Sequence, residues 1–434
     1  MELTLAIKNG LVLTMNEENK VIENGFVGVL DDKIVYVGEE KGFSANEIID
    51  AKGGIVLPGL INAHTHAPMS LFKGLAEDIP LKRWLEEYIF PIEKRLNPEL
   101  VYIGALLSCA EMIMSGTTTF CDMYFFEDEV AKAAKKAGMR CLLSEGLFDF
   151  PSPNYGDIEN GYKYTEWLIE KWEKDPLINI AVGPHTPYTC SEAILKNAKE
   201  IAEAHDIPII IHVAETEYEV ELIRQKYGKS PVEYLKELGL ICPRLIAAHC
   251  VHLSKKDMQL IKEGDVKVVH NAECNMKLAS GISPVPDMIE MGICVAIGTD
   301  GSASNNNLDL FQEMDTVAKL HKISKMDPSV MDAVSVVKMA TRNGAKALGM
   351  ADIIGSIEVG KKADIIVLNT NTAHMTPLYN PFYGIVYSAT GADVTHSIID
   401  GKVVMKERRL LTVDLDSIIE EAKGWAAQIK KWLS

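Results

Sequence analysis

Short apolar runs alternate with longer segments of helical spacing through most of this chain. The runs that predict strands span residues 55–62, 117–120, 140–143, 178–182, 209–211, 245–248, 266–269 and 293–297. The segments whose apolar residues recur every three or four positions, and which therefore predict helices, span residues 97–114, 127–137, 159–173, 191–205, 230–238, 255–263 and 308–323. Such alternation indicates a parallel sheet, and eight units predict an α/β fold of the closed (β/α)8 TIM-barrel type.

Strand-and-turn patterns replace this alternation at both ends of the chain. Asn9-Gly10 predicts a tight turn between two strands, and Asp31-Asp32 separates two further apolar runs. Asp400-Gly401 predicts a turn near the other end. The simplest arrangement is that the strands of both ends pair with each other in one small β domain.

The domain boundaries follow from the points at which the pattern changes. We expect residues 1–57 and 355–415 to build a composite, small β-sandwich domain from both chain ends. Residues 58–354 are expected to build the barrel. Residues 416–434 carry apolar side chains on roughly one face and are expected to form a C-terminal helix.

Polar side chains stand where the predicted strands end, which is the edge at which barrel enzymes carry their active sites. His64 and His66 follow the first strand, His212 the fifth and Asp300 the eighth. Two histidines at alternate positions of an extended chain point the same way, so one ion can bind both. With His212 and Asp300 they form a ligand set that suits Zn²⁺ or Fe²⁺. Such an ion, with an open position, turns a water molecule into a nucleophile, so the sequence predicts hydrolytic chemistry.

Two residues beside these ligands are candidates for catalysis. Glu215 follows His212 by three residues and can approach the ion without binding it, which leaves its carboxylate free to carry a proton. His249 ends the sixth strand and can hydrogen-bond the water on the ion. The alternatives are a solvated glutamate and a structural imidazole. Asp122, beyond the second strand, is expected instead to cap a loop or to brace the ligands.

Charge and composition exclude several classes of partner. The formal net charge is −17, which argues against nucleic acid because phosphate binding needs clustered lysine and arginine. No stretch approaches the roughly 18 apolar residues of a membrane span, and the N-terminus lacks a signal-peptide pattern. The eight cysteines include no Cys-x-x-Cys pair and predict reduced thiols in a cytoplasmic protein.

Longer motifs around the candidate residues resemble those of the amidohydrolase superfamily. More closely, and over essentially its whole length, the chain is similar to the family of 5-methylthioadenosine/S-adenosylhomocysteine deaminases. The motifs that carry the resemblance are residues 58–69 (PGLINAHTHAPM), Trp84-Leu85, Pro91-Ile92-Glu93, Gly183-Pro184-His185, residues 248–252 (AHCVH), Gly298-Thr299-Asp300-Gly301 and Ser304-Asn305-Asn306.

The resemblance implies hydrolytic deamination at C6 of the adenine ring of 5′-substituted adenosines, which yields the inosine derivative and ammonia. The substrates it suggests are 5′-methylthioadenosine, S-adenosylhomocysteine, 5′-deoxyadenosine and adenosine. It further implies that Asp300 takes the proton of the attacking water. Glu215 would protonate N1 of the ring, and His249 would steady the attacking oxygen.

The resemblance also implies how a nucleoside binds. Glu93 would accept both ribose hydroxyls, since one carboxylate can accept from a cis-diol through both oxygens. His185 and Glu215 would contact the substrate, and Trp84 would line the pocket. Relatives with two metals bridge them through a lysine after the fourth strand, and residues 180–187 contain no lysine, so we expect one ion. Family members tend to be homo-oligomers, which suggests a dimer or tetramer.

One departure from the family concerns the 5′ end of the substrate. Relatives that favour S-adenosylhomocysteine hold its carboxylate with arginine from the segment after the third strand, whereas no arginine lies between Arg140 and Arg224 here. Glu145, in that segment, is expected to repel a carboxylate. Lys277, on a later loop, is a candidate replacement for the arginine.

Two functions of other classes stay open at this point. One is hydrolysis of a free purine or pyrimidine base or of an s-triazine, as in guanine deaminase or the chlorohydrolases. Glu93 argues against it, because a free base has no diol. The other is a scaffold protein without activity, against which the complete ligand set argues.

Overall fold

The structure, a computed structural model, describes residues 2–79 and 83–433. Its strands are β1 (Glu2–Leu13), β2 (Val21–Leu30), β3 (Lys33–Glu39), β4 (Ser44–Asp50), β5 (Ile55–Pro58), β6 (Leu60–Thr65), β7 (Thr117–Tyr124), β8 (Arg140–Leu147), β9 (Ile178–Ile180), β10 (Gly183–Pro184), β11 (Ile209–Val213), β12 (Leu245–His249), β13 (Lys267–His270), β14 (Val295–Ile297), β15 (Ile365–Leu368), β16 (Val394–Ile399), β17 (Lys402–Lys406) and β18 (Arg409–Leu410).

The helices occupy most of the segments between the strands. They are α1 (Phe90–Glu93), α2 (Pro98–Met114), α3 (Glu127–Ala137), α4 (Ile158–Trp172), α5 (Glu192–His205), α6 (Glu217–Tyr227), α7 (Pro231–Glu237), α8 (Lys255–Glu263), α9 (Ala272–Lys277), α10 (Val285–Glu290), α11 (Ser302–Asn305), α12 (Leu310–Lys325), α13 (Ala333–Met339), α14 (Arg342–Ala347), α15 (Pro381–Tyr387) and α16 (Leu415–Trp432). Shorter helical turns of other types span Ala67–Phe72, Trp84–Ile89 and Gly391–Asp393.

The last helix, α16, lies where the sequence predicts a closing helix, and it packs on α2. Among the described residues no single helix is both long and apolar enough to cross a membrane. One bent pair, Trp84–Glu93 with Pro98–Met114 at 116°, meets that test of length and composition only when its two members are joined.

Parallel strands at the centre of the fold alternate with helices, as the apolar pattern predicts. β6, β7, β8, β9 and β10 form one parallel sheet, and β11 to β14 form a second. Val182 bridges to Ile209 between the two sheets on one side. On the other side the Asp300 amide donates to the His64 carbonyl at 3.0 Å. These strands are buried along almost their whole length, which explains why their sequences are continuous apolar runs.

Inward-facing side chains of these strands form one apolar cluster. The cluster takes at least one member from each successive strand segment, and its members there are Ile61, Ala63, Cys121, Met123, Leu142, Ala181, Ile210, Ile246, Val269 and Ala296. The turn after α14 adds Leu348, Met350 and Ile354 to the same cluster. One end of the strand array is therefore filled by apolar side chains, and the polar strand ends meet at the opposite edge.

Strands from both chain ends share one nine-stranded sheet. Its order is β18-β17-β16-β15-β5-β1-β2-β3, with β4 paired to β1. β15 from the second half of the chain lies antiparallel to β5 from the first. Strands from the two halves of the chain therefore pair directly with each other.

The first predicted strand is two strands that belong to different sheets. The apolar run at residues 55–62 predicts one strand, whereas the structure divides it into β5 and β6. The chain changes sheets at Gly59, whose amide donates to the Asp364 carbonyl at 2.9 Å. A Cβ at Gly59 would lie 2.0 Å from the Thr118 Oγ1, so only glycine fits this crossing. Because both strands are buried, the apolar run does not reveal the break.

The turn predicted at Asn9-Gly10 is wrong. β1 continues through these residues, and its pairing with β2 shifts register instead of reversing direction. Asn9 adopts a φ of 55°, which forms a bulge, and a Cβ at Gly10 would lie 2.5 Å from the Val56 Cγ2. The turns predicted at Asp31-Asp32 and Asp400-Gly401 are confirmed by the antiparallel pairs β2–β3 and β16–β17.

A buried arginine joins the parallel strands to the nine-stranded sheet. Arg140, at the start of β8, is 1% exposed. Its Nε donates to Asp364 Oδ2 at 2.9 Å, its Nη2 to Asp400 Oδ1 at 3.2 Å and its Nη1 to the Pro176 carbonyl at 2.8 Å. Burial opposes the charge of this guanidinium, but the two carboxylates raise the pKa of Arg140 above its usual range. The interaction ties together segments from the middle and the end of the chain.

Arg140→Met should lower the free energy of unfolding by about 3–5 kcal/mol, because it leaves the buried Asp364 carboxylate without its cation. Urea unfolding followed by circular dichroism measures this loss. Arg83→Met is the matched control, since the ion pair of Arg83 with Glu87 is exposed, and it should leave the unfolding midpoint nearly unchanged. Equal losses in the two variants would contradict a structural role for the buried pair.

Candidate metal centre and active site

The predicted metal ligands converge at the carboxyl ends of the parallel strands. His64 lies near the end of β6, and His66 directly follows that strand. His212 comes from β11, and Asp300 from the loop after β14. His66 Nε2 lies 3.1 Å from Asp300 Oδ1 and 3.4 Å from His212 Nε2. His64 Nε2 lies 3.6 Å from the same Asp300 oxygen. One ligand atom from each of the three histidines can lie within 4.8 Å of the others, which is close enough for one shared ion.

His249 lies beside this group, on the side of Glu215. Its Nε2 is 4.0 Å from Asp300 Oδ2 and 3.9 Å from Glu215 Oε2. Its Nδ1 contacts Asn275 Oδ1 at 2.9 Å, which fixes the orientation of the ring. The structure therefore brings both predicted catalytic neighbours of the ligands to the same place.

Unpartnered nitrogen atoms favour a metal at this position. In the described structure, neither ring nitrogen of the buried His64 has a hydrogen-bond partner, a costly arrangement unless a ligand binds one of them. Burial lowers the pKa of His64 to about 4 and holds the pKa of His212 well below its usual range. Both rings are thus neutral at pH 7, which is the form that binds a metal ion.

Asp300 supplies the negative charge of the site. Burial alone would raise its pKa, but the nearby rings of His64 and His66, with nitrogens 3.6 and 3.1 Å from its Oδ1, hold the pKa of Asp300 well below its usual range. Burial would likewise lower the pKa of His66, and the bond to Asp300 instead raises it to about 9. The buried carboxylate is therefore stabilised by a positive charge beside it, and a divalent ion bound among these residues would supply that charge.

Hydrogen bonds behind the histidines fix their rings. His66 Nδ1 contacts the Met123 carbonyl at 2.5 Å, and His212 Nδ1 contacts the His185 carbonyl at 2.8 Å. A carbonyl can only accept, so each Nδ1 carries a proton, and the neutral form of each ring keeps the lone pair of Nε2 for a metal ion. Such bonds are typical of metal-binding histidines.

The Asp300 carboxylate is also held from behind. Its Oδ1 accepts from the Gly301 amide at 2.8 Å, and its Oδ2 accepts from the Cys274 thiol at 2.7 Å and the Ser304 hydroxyl at 3.3 Å. Asp300 adopts a φ of 63°, and His249 a φ of 69°. This left-handed backbone conformation is energetically unfavourable for non-glycine residues, and such strain is concentrated at functional sites.

Asp122 braces the ligand segment, as expected. Its Oδ1 accepts from the Thr65 hydroxyl at 2.5 Å and from the Ala67 amide at 2.6 Å. These residues flank His66, so the carboxylate fixes the chain on both sides of a predicted ligand. Burial raises the pKa of Asp122.

A second buried carboxylate positions Glu215. Glu219 is 1% exposed, and its two oxygens accept from the amides of Ala214 and Glu215, each at 2.9 Å. Ala214 adopts a φ of 52°, which turns the chain away from the direction of β11. The turn brings the Glu215 carboxylate toward His249 instead of letting it leave into solvent. Burial raises the pKa of Glu215, so this carboxyl group holds a proton more readily than an exposed glutamate.

A pocket that is open to solvent lies over the predicted metal ligands. The predicted substrate-binding residues all line it, namely Trp84, Glu93, His185 and Glu215. The Glu93 carboxylate accepts from the Tyr124 hydroxyl at 2.9 Å, and burial raises the pKa of Glu93 to about 7. The His185 ring lies 5.0 Å from that of His212, between the metal ligands and the cavity mouth.

Glu145 does not face this cavity. It is fully buried and accepts from the amides of Phe126 at 3.3 Å and Glu127 at 2.9 Å, and from the Asn154 side chain at 3.0 Å. The expectation that Glu145 repels a ligand carboxylate is therefore wrong, because it satisfies the N-terminus of α3 instead. Lys277 is also engaged, by Glu77 at 2.5 Å.

Sequence reasoning missed Tyr124, Glu219 and Cys274. Tyr124 follows Asp122 by two residues in β7 and lies on the same face of that strand, so the two-residue period could have identified it. Glu219 and Cys274 lie in α6 and α9, beyond the strand ends, and no spacing in the sequence relates them to the ligands.

Comparisons with known proteins give consistent matches. Residues 55–404 match the model of the Amidohydrolase family. A protein of Syntrophobacter fumaroxidans named 5-methylthioadenosine/S-adenosylhomocysteine deaminase is 53% identical over 430 residues, 98% of each chain. A 5′-deoxyadenosine deaminase of Methanosarcina acetivorans is 46% identical over 429 residues, again 98% of each chain. The crystal structure of an adenosine deaminase from Xanthomonas campestris with bound zinc has a TM-score of 0.97 at 36% identity and covers 99% of both chains.

His66→Ala and Asp300→Ala should each abolish tight metal binding, because each removes a ligand from the converging group. Plasma mass spectrometry of protein purified in metal-free buffer measures the ion content, and the parent protein should retain one ion per chain. His205→Ala, on the exposed end of α5, is the control and should keep the parental content. An Asp300→Ala variant with full metal content would exclude Asp300 as a ligand.

Proposed function

The chain belongs to the amidohydrolase family, whose fold is of the TIM-barrel type, and we propose that it is a metal-dependent deaminase of 5′-substituted adenosines. It hydrolyses the amino group at C6 of adenine, which yields the inosine derivative and ammonia. The observation that carries this proposal is the meeting of a His and Asp ligand group, Glu215 and Glu93 in one cavity. The relatives at 46% and 53% identity, which are named as deaminases of such nucleosides, support it.

One divalent ion is proposed at His64, His66, His212 and Asp300, with Zn²⁺ as its identity and Fe²⁺ as the alternative. Bound there, the ion supplies a water molecule activated for attack at neutral pH. Three imidazoles and one carboxylate are ligands that both ions accept. The zinc in the Xanthomonas campestris adenosine deaminase supports Zn²⁺.

Three residues share the proton transfers in the proposed mechanism. Asp300 takes a proton from the attacking water. Glu215 donates its proton to N1 of the adenine ring, which makes C6 more electrophilic. Its carboxylate then passes the proton of the C6 hydroxyl to the leaving amino group, which departs as ammonia while C6 becomes a carbonyl, and the proton held by Asp300 restores Glu215. His249 lies within 4.0 Å of both carboxylates and orients the attacking oxygen between them. Positioned proton transfers of this kind contribute roughly 10²–10⁴-fold to the rate.

The remaining cavity residues are proposed to hold the nucleoside. Glu93 accepts the two ribose hydroxyls, and Tyr124 fixes the orientation of its carboxylate through the bond at 2.9 Å. His185 contacts the substrate beside the metal ligands, and the buried Trp84 forms part of the apolar wall. A free base or a triazine has no diol for Glu93, so this carboxylate favours a nucleoside.

Finer features of the architecture belong to the same proposal. The parallel sheets close into one (β/α)8 barrel over residues 58–354, which is supported by the backbone hydrogen bonds that link them on both sides. Residues 1–57 and 355–415 are proposed to belong to one β-sandwich domain, and residues 416–434 to a C-terminal segment that carries α16. The eight cysteines are unpaired thiols, which supports a cytoplasmic location. Assembly into a dimer or tetramer is proposed because members of the family tend to be homo-oligomers.

Glu215→Gln should keep the metal ion and lower kcat by about 10²–10⁴-fold, because it removes a proton carrier and leaves the ligands intact. Ammonia release from 5′-deoxyadenosine, combined with metal analysis, measures both effects. Glu217→Gln, at an exposed position two residues away, is the matched control and should keep the parental rate. Loss of metal from the Glu215 variant would make that residue a ligand instead.

The KM for nucleosides should rise as the pH falls through about 7, the value to which burial raises the pKa of Glu93. Below that pH the carboxyl group is protonated and can no longer accept a hydroxyl through each oxygen. Steady-state assays of a nucleoside and of adenine across this range measure the effect. Glu93→Gln should give a high KM that does not change with pH, and adenine should show no such rise. A flat KM profile for the nucleoside in the parent enzyme would remove Glu93 from the binding site.

A further inference from the structure

Aromatic rings lead from the metal ligands to the mouth of the cavity. The His185 ring lies 4.7 Å from the Phe148 ring, and the Phe148 ring lies 4.7 Å from that of Phe150. Phe90 continues the row at 6.4 Å from Phe150. Phe148 is 7% exposed and Phe150 is 42% exposed, so the row runs from a buried inner ring to a solvent-facing outer one. We call Phe90, Phe148 and Phe150 the ring wall.

The position of C6 determines which part of a nucleoside meets the ring wall. The proposed function, on which this inference rests, places C6 of the adenine ring beside Asp300 and Glu215. Ribose is attached at N9, on the side of the purine away from C6. The 5′ substituent therefore points outward, past His185, to the ring wall.

Among residues 2–79 and 83–433, no lysine or arginine lines the cavity, whereas Glu93, Glu215 and Asp300 do. Two cations next in sequence to lining residues are engaged elsewhere, because Arg83 pairs with Glu87 and Lys277 with Glu77. Within the described part of the chain, a ligand carboxylate at the ring wall would thus meet phenyl rings and no lysine or arginine.

We infer that the ring wall selects nucleosides with a small, neutral and apolar 5′ substituent. 5′-Deoxyadenosine and 5′-methylthioadenosine meet this requirement, since a methyl or methylthio group packs on phenyl rings and sulfur makes favourable contacts with them. S-Adenosylhomocysteine does not meet it. Its amino-acid end must give up part of its hydration without an ionic partner for its carboxylate.

The kinetic signature is a ratio of two specificity constants. In the parent enzyme kcat/KM for 5′-methylthioadenosine should exceed that for S-adenosylhomocysteine by about tenfold or more, since an unpaired, partly desolvated charge is costly. Both substrates present the same adenine and ribose, so this ratio isolates the 5′ end. It is measured by ammonia release from each nucleoside under identical conditions.

A cation at the outer ring should weaken this preference. Phe150→Arg places a guanidinium at an exposed position of the wall, where it can bind a carboxylate through two hydrogen bonds. We expect it to raise the S-adenosylhomocysteine to methylthioadenosine ratio by about tenfold, and high salt should reduce the gain. Phe150→Gln is the matched control, because it removes the same ring without adding charge, and its ratio should stay far below that of the arginine variant.

The outcomes separate this inference from the proposed function. Equal or better turnover of S-adenosylhomocysteine by the parent enzyme would overturn the inference while leaving the deaminase assignment intact. Equal ratios in the arginine and glutamine variants would overturn it as well. Ammonia release from no nucleoside would overturn the proposed function, and the inference with it. The parental ratio decides the matter even if a variant fails to fold.

Discussion

The buried charge of Asp300 is the constraint on which the geometry of the site depends. A carboxylate inside a protein is tolerated only with hydrogen bonds and a positive partner, and here the donors come from Gly301, Cys274 and Ser304. Those bonds hold both oxygens of the group, and Oδ1 also faces His64 and His66. The left-handed backbone at Asp300 allows its carboxylate to face the two histidines. The hydrogen bond from the Asp300 amide to the His64 carbonyl links the last parallel strand to the first. Charge, strain and strand pairing thus meet at one residue.

Two further buried glutamates serve the site without touching the cavity. Glu219 holds the chain after His212 in a turn, and Glu145 satisfies the first amides of α3. In both cases a carboxylate accepts from backbone amides that no regular structure would satisfy. The functional groups can project into an open cavity because these loops are held rigidly from behind.

The sequence predicts which polar side chains converge because their position depends on strand ends alone. His64, His66, His212 and Asp300 follow buried apolar runs, and parallel strands necessarily bring such residues to one edge. Features that depend on tertiary neighbours could not be predicted in this way. The crossing at Gly59 is set by Thr118, and the bulge at Asn9-Gly10 is set by Val56 on an adjacent strand. Glu145 resembles a pocket residue in sequence because its partners are backbone amides, which no pattern of side chains reveals.

The shared nine-stranded sheet also orders events during synthesis. β1 to β5 leave the ribosome first, yet β15, which lies between β5 and β16, leaves only after all the parallel strands. Until then one edge of β5 has no partner, and an open strand edge invites pairing with other chains. The nascent chain must therefore carry an unfinished sheet through most of its translation, a period in which a chaperone that covers strand edges would be of most use. Joining both chain ends in one sheet thus exposes an open strand edge during synthesis, before the enzyme has folded.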